Sequence, residues 1–470
     1  MTDTNTREKK SIDIPELVNS ETLQWIAAIP LTVLAVIPLF VFLFRLQNNG
    51  YYGMGTFLDP TRGIFCIIAG ITAMCCIVVA LKEKQAVSAI IGGNRPFIFF
   101  AAFMLMMLIS YLAVGIPEFD DPFNELGIYP NEGHIMYIMF FTVYFFLGSR
   151  IRSARVKALV IRSNVAVSFF LAFFGLIDFY IVPVFPLRFT EMWDGCFPAV
   201  WNNPNHYGYY LTIMTLLSVG MFLYEKERGW RIAGLVSSVV HCVVTELNDT
   251  FGSYLAVWFG FIFIIAAHLI IYRKFPVKLL IPAAVLLLAS LFLATWQGTM
   301  TDNFVNLGSD TTNIVSDSEA AQFAGSSRWA LWMAALDGIK DSPVFGQGVE
   351  GWDDILLARS TTGIHAHNEY LQYALFFGIP ALCCYVAGII AVFLRGLFNR
   401  KKLDGFTLMS LAAAFGYCVS AFFGNPKYYT APYFFVILGL AYNYCTGGEE
   451  KSTGTAKSAE TDAHESLANS

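Results

Sequence analysis

Residues Leu279–Ala294 read LLIPAAVLLLASLFLA, sixteen positions in which Ser290 is the one polar side chain. Extended to Pro276–Trp296, the run reaches the ~20 apolar residues that a helix needs to cross the hydrocarbon core of a bilayer. Directly before it, Phe251–Ile271 reads FGSYLAVWFGFIFIIAAHLII and is long enough to do the same. Two such runs separated by the basic turn Arg273-Lys274 describe a membrane hairpin.

The same pattern recurs along all 470 residues, of which 56% are hydrophobic and only 14% charged. An ordinary soluble domain carries about 25% charged residues. With a mean hydropathy of +0.56, the composition excludes a soluble enzyme, a disulfide scaffold and a disordered chain. The formal net charge is −5 and the 30 Lys and Arg form no block, so nothing points to a nucleic-acid partner. An all-α integral membrane protein is expected, embedded in the lipid bilayer with about 12 transmembrane helices. The candidate spans are Trp25–Phe44, Gly63–Leu81, Phe97–Val114, Ile135–Gly148, Val165–Val182, Tyr207–Tyr224, Ile232–Thr245, Phe251–Ile271, Pro276–Trp296, Leu371–Leu394, Phe406–Phe423 and Pro432–Cys445.

Charge sets their orientation. With twelve spans and both termini cytoplasmic, the basic residues of 150–162, 226–231, 273–278 and 395–402 fall inside. Of the 30 Lys and Arg, only Arg45, Arg62, Arg188, Arg328, Lys340, Arg359 and Lys427 fall outside. The expected organisation is a cytoplasmic tail over 1–20, a membrane domain over 21–446 and a disordered cytoplasmic tail over 447–470. The first apolar run reads as a retained start-transfer helix. The nine cysteines suit core packing; a disulfide framework is not expected.

The unusual residues crowd the outer face. A long loop over 297–370 begins with Thr299–Ala324, rich in Ser, Thr, Asp and Asn and readable as flexible. Its second half predicts an amphipathic surface helix, with Ser327 as N-cap, Arg328 in the first turn, and Trp329, Trp332, Met333 and Leu336 on one face. Gly346-Gln347-Gly348-Val349-Glu350-Gly351 fits GxGxxG, but no βαβ unit surrounds it and a nucleotide site is rejected. His365 and His367 precede the tenth span. At i, i+2 they diverge on a helix, and no third His or Cys stands near, so no metal or cofactor is expected. They suit either a general base or a polar cap at the interface.

A further cluster holds Arg188 and Trp201-Asn202-Asn203-Pro204-Asn205-His206. Arg188 suits a site or an interfacial anchor, and the asparagines suit a helix-capping loop. Thr245–Ser253 is a polar break between two spans, and Asp178 is a carboxylate within the fifth span. Two arginines and a histidine on one face fit a phosphate-bearing substrate, since Arg forks bind phosphate oxygens and hold developing negative charge.

In order and spacing, Gly325-Ser326-Ser327-Arg328 with Trp332, Pro343-Val344-Phe345-Gly346-Gln347-Gly348, and Ala366-His367-Asn368-Glu369-Tyr370-Leu371-Gln372 with Gly378-Ile379-Pro380 resemble the C-terminal block of the O-antigen ligase/polymerase superfamily. Arg188 and Asn202-Asn203-Pro204-Asn205 resemble that family's Arg and Asn-Pro-Asn element. Asn248–Ser253 departs from it, lacking the Ser-Arg-Gly stretch of many members.

The resemblance implies a GT-C-like membrane glycosyltransferase of the bacterial inner membrane, acting in cell-surface polysaccharide biosynthesis. It would move a glycan from undecaprenyl pyrophosphate to a saccharide acceptor on the outer face without a metal. Arg188 and Arg328 would bind the pyrophosphate and His367 would be the base. His365, Asn368, Glu369, Trp332 and Asn205 would support substrate binding. The competing expectation is a transporter or flippase of lipid-linked oligosaccharides, which should instead line its mid-membrane helices with polar groups.

Overall fold

The structure, a computed structural model, describes residues 21–47, 95–114, 135–180, 199–201, 203–296, 299–348, 365–425 and 430–442, with 70, 71 and 74. Among the described residues the secondary structure is entirely helical. Eight helices among the described residues are long and apolar enough to cross a membrane. They are α1 (Glu21–Gln47), α2 (Arg95–Val114), α4 (Ala154–Tyr180), α5 (Pro204–Tyr224), α6 (Arg228–Leu247), α7 (Phe251–Ile271), α12 (Ile379–Phe398) and α13 (Gly405–Ser420). Shorter apolar helices are α3 (Ile135–Gly148), α8 (Leu280–Trp296) and α14 (Ala431–Tyr442). The chain is a multi-pass membrane protein. All of the expected second span but residues 70, 71 and 74, both tails, Arg188 and Asn202 lie outside the described residues.

The bundle is built around α5, buried along its whole length between α4, α6, α7, α13 and α14. A helix enclosed on all sides has no lipid-facing stripe, so its polar positions bond back to its own backbone. Thr212 Oγ1 donates to the Gly208 carbonyl at 2.9 Å and Ser218 Oγ to Met214 at 2.7 Å. Close approach is made possible by small residues, as expected where packing replaces the hydrophobic effect. Gly260 on α7 and Gly416 on α13 both stand against the Leu216 side chain of α5, which would collide with a Cβ at either position.

Basic residues gather at one end. The fully buried Lys157 donates to Thr407 Oγ1 at 3.0 Å and lies 3.8 Å from the Asp404 carboxylate. Arg162 reaches Glu225 and Glu227 at 2.9 and 2.8 Å and stacks over Trp230. Arg155, Lys157 and Arg162 stand on α4 itself, which begins eleven residues before the expected span Val165–Val182. The helix extends because neighbouring helices at this end supply partners for its charges.

Two expectations are corrected at the opposite end. The tenth span, Leu371–Leu394, is two helices, α11 (Glu369–Phe377) and α12, broken at Gly378. Gly378 has φ +86° and a Cβ there would strike the Val344 carbonyl. The freed backbone groups are taken up by Pro343–Gly348: Ile379 N–H donates to Pro343 at 2.8 Å, Gln347 N–H to Leu375 at 2.7 Å and Gly348 N–H to Phe376 at 3.0 Å. Gly346 and Gly348 thus serve a backbone strap. Thr299–Ala324, read as flexible, forms α9 (Thr299–Val315) and a 3-10 turn over Glu319–Phe323. Its hydroxyls, which usually compete with helix formation, instead bond along the helix: Thr311 to Leu307 at 2.6 Å and Thr312 to Gly308 at 3.0 Å.

Gly416→Leu is expected to overpack Leu216 and lower stability by about 1–3 kcal/mol. Thermal unfolding of the detergent-purified protein measures this, and Leu216→Ala in the same chain should recover part of the loss.

Candidate active site

The end of the bundle opposite Lys157 is assembled from three local structures, each fixed by an asparagine or a glycine turn. The first is the start of α5. Asn203 is its N-cap, accepting from Asn205 N–H at 2.8 Å, and Pro204 takes the first-turn position where no donor is needed. Asn248 Nδ2, from the turn between α6 and α7, donates to the Pro204 carbonyl at 2.9 Å and ties this start to the next hairpin. The polar break Thr245–Ser253 therefore works as a clasp.

The second is the segment before α11. Asn368 is the N-cap, its side-chain oxygen accepting from Tyr370 and Leu371 N–H at 3.0 and 3.1 Å. Gln372 reaches back to accept from Ala366 N–H at 2.9 Å. Between them His367 adopts φ +47°, a left-handed backbone uncommon outside glycine. His365 and His367 are thus in a turn and not on a helix, and their rings meet edge to face at 6.3 Å where helical spacing would send them apart.

The third is the start of α10 (Arg328–Asp341), reached through three successive left-handed residues, Gly325, Ser326 and Ser327. Ser327 occupies the N-cap position, but in this conformation its side chain makes no capping bond, contrary to expectation. The expected apolar face is also divided. Leu331, Ala334, Ala335, Gly338 and Ile339 are the buried side, with α10 packed on α11. Met333 and Leu336 are exposed.

These pieces converge. Arg328 acts electrostatically on both His367 and Tyr209, and His365 and His367 both act on His206, in the first turn of α5. Tyr209 is fixed by donating to the Phe423 carbonyl at 2.7 Å. Burial, then the Arg328 charge and His365, hold the His367 imidazole down to about 3. It is therefore neutral, with a lone pair free to take a proton, throughout the physiological range. Beside Arg328 opens a cavity of about 430 Å³ lined by Trp329, Trp332, Phe251, Phe423 and, from α9, Asn306, Asp310 and Thr311. The buried Trp332 Nε1–H has no hydrogen-bond partner among the described residues.

Residues 247–386 match the O-antigen ligase family. No curated protein matches the chain. The matched segment contains Arg328, Trp332, His365, His367, Asn368 and Glu369, and also α7 to α11 in full. The match implies a membrane O-antigen ligase/polymerase-like function, and so a glycan-transferring enzyme. Asn205 and His206 precede the matched segment and reach the site only through the fold.

Within the matched segment the structure separates two kinds of residue. Glu369 is buried, accepts from Tyr417 Oη at 2.8 Å and from Tyr385 Oη, and joins α11 to α12 and α13. Burial pushes its carboxyl up to about 7, against the two tyrosines. Asn368 shapes the His367 turn by capping. Arg328 and Trp332 line the open cavity, and His367 is linked to it through the Arg328 charge. His206 was not singled out by the sequence, where it reads as one more polar residue of an Asn-rich cap; Tyr209 reads as part of an aromatic run. Asn205 is half-buried beside His206. Asp178 stands on the last turn of α4. Among the described residues no three His, Cys, Asp or Glu are grouped to hold a metal.

Arg328→Gln removes a positive charge that opposes imidazolium formation, so the His367 titration should move up toward the ordinary histidine value of about 6.5. Histidine-labelled NMR across pH 3–7 reads the shift directly; Lys340→Gln, on the far turn of α10, should leave it in place.

Proposed function

We propose that the protein transfers a glycan from undecaprenyl pyrophosphate to a saccharide acceptor at the face of the bacterial inner membrane away from the cytoplasm. The observation that carries this reading is the electrostatic linkage of Arg328 to His367 and of His367 to His206, with Arg328 lining an aromatic cavity in the segment that matches the O-antigen ligase family. Proposed roles follow from charge. Arg328, with Arg188 as its partner, holds the diphosphate. His367 takes the proton of the attacking acceptor hydroxyl. That oxygen bonds to the anomeric carbon from the face opposite the leaving group, and the glycosidic C–O pair departs with the undecaprenyl pyrophosphate.

Arg328 links the two roles. Burial, and after it the Arg328 charge, keep His367 a weak base. A bound diphosphate neutralises that charge, and the imidazole gains affinity for a proton only when the donor is in place. The cavity suits the acceptor. Trp329, Trp332, Phe251 and Phe423 offer flat apolar walls to sugar rings, while Asn306 and Thr311 offer partners for hydroxyls. Asp310, whose carboxylate already accepts from Gly325 N–H at 2.8 Å, supports the turn before Arg328.

Purified protein supplied with a lipid-pyrophosphate oligosaccharide tests the reading. A ladder of products marks a polymerase, and single transfer to an added acceptor marks a ligase. No transfer together with lipid movement in liposomes would replace it by a transporter. Arg328→Ala and His367→Ala should each abolish transfer while the amount in the membrane stays normal. Because donor binding raises the proton affinity of His367, the acidic limb of kcat should lie at higher pH than that of kcat/KM. Coincident limbs would separate Arg328 from the base.

A further inference from the structure

Three helices end together at the Lys157 end of the bundle. α3 packs on α14 and α14 on α12, with Phe145, Tyr442 and Arg395 in their last turns. The Phe145 and Tyr442 rings lie 6.3 Å apart. Arg395 donates from Nη1 to Tyr442 Oη at 3.0 Å, and its guanidinium carbon lies 4.2 Å from the centre of the same ring. Helix C-termini carry the negative dipole end and draw cations toward them. Tyr442 therefore fixes where this cation stands.

A second arginine is brought to it by the turn between α3 and α4. The buried Gln24 of α1 clamps that turn, its side-chain oxygen accepting from Arg152 N–H at 2.7 Å and from Ser153 N–H at 2.6 Å. The half-buried Arg152 side chain stands in the field of Arg395 and Tyr442. Burial, then the Arg395 charge, lower its proton affinity below the ordinary arginine value. Its neighbours at this end face the opposite sign: Arg162 meets Glu225 and Glu227, and Lys157 meets Asp404. For Arg152 the largest charge acting, among the described residues, is another arginine. Two guanidinium groups held together repel each other, and together they match the oxygens of a phosphate group.

The surroundings choose the source of that phosphate. The same turns carry exposed apolar side chains: Phe398, three residues after Arg395 and so on its face of α12, and Trp25, next to Gln24 on α1. Aromatic residues at helix ends mark the level where headgroups meet the apolar core. A ligand at this level has an anionic head beside an apolar body. We propose that Arg152 and Arg395 bind the phosphodiester headgroup of an anionic phospholipid such as phosphatidylglycerol. Basic pockets between helix ends on the cytoplasmic side suit such headgroups. The site is remote from Arg328 and does not depend on the transferase reading. A bound headgroup ties α12 and α14 to the α3–α4 turn.

The test uses the full-length protein in nanodiscs of phosphatidylcholine with a minor share of phosphatidylglycerol, and a photoactivatable phenylalanine analogue at the exposed Phe398. Captured lipid should show a phosphatidylglycerol-to-phosphatidylcholine ratio at least about five times that of the disc. Arg152→Gln, alone or with Arg395→Gln, should bring the ratio down toward that of the disc. Arg162→Gln, which removes a cation already held by two carboxylates, should leave it unchanged. A wild-type ratio equal to that of the disc overturns the proposal, as does an enrichment that survives both substitutions. Capture of the 447–470 segment or of a second copy of the chain in place of lipid overturns it too. A second readout separates lipid from free phosphate. In detergent, phosphatidylglycerol should raise the unfolding temperature more than phosphatidylcholine does, and inorganic phosphate at the same concentration should not reproduce the gain. A gain matched by inorganic phosphate means a free-anion site and overturns the lipid assignment.

Discussion

The backbone of a membrane protein has no water to bond to in the hydrocarbon region, so any break in a spanning helix must be repaired by other parts of the protein. Here the break at Gly378 is repaired by Pro343–Gly348, whose amides and carbonyls pair with those around the end of α11. Ser110 of α2 adds its hydroxyl to the Phe345 and Phe376 carbonyls at the same place. Everything on the far side follows from this joint. It fixes α10 to α11, and so fixes Arg328, which opens α10, relative to His367, which precedes α11.

The candidate site is accordingly a meeting of helix starts. α5, α10 and α11 all begin here, and helix starts present positive dipole ends and unpaired amides toward an anion. Two of the three are capped by asparagine, and the third is entered through left-handed backbone at Ser326 and Ser327. Left-handed backbone recurs at His367. Non-glycine residues in this region are costly and are kept where surrounding structure holds them. Both of the residues to which the proposed chemistry is assigned are thus approached through turns that the rest of the bundle holds in place.

Much of the architecture was legible. Phe251–Ile271 coincides with its helix, and Asn203 and Pro204 occupy the capping and first-turn positions that their chemistry suits. Both follow from local rules: hydrophobic length, and the geometry of a helix end. Sequence order also singled out Arg328 and His367. The misreadings share one cause. Thr299–Val315 has the composition of a flexible loop yet is helical, and Leu371–Leu394 has the composition of one span yet is two helices. In each case tertiary partners outweighed local preference.

The sequence alone determined that this chain lives in a membrane, because 14% charged residues cannot cover a soluble protein of this size. Only the tertiary structure decided which polar residues face one another. His206 lies more than 150 positions before His365 but stands in its electrostatic field, while Glu369, two positions after His367, turns inward to Tyr385 and Tyr417. Chain distance sets neither relation. The first comes from α5 being buried at the centre of the bundle, and the second from the rotation of α11 that its cap and the Gly378 break impose.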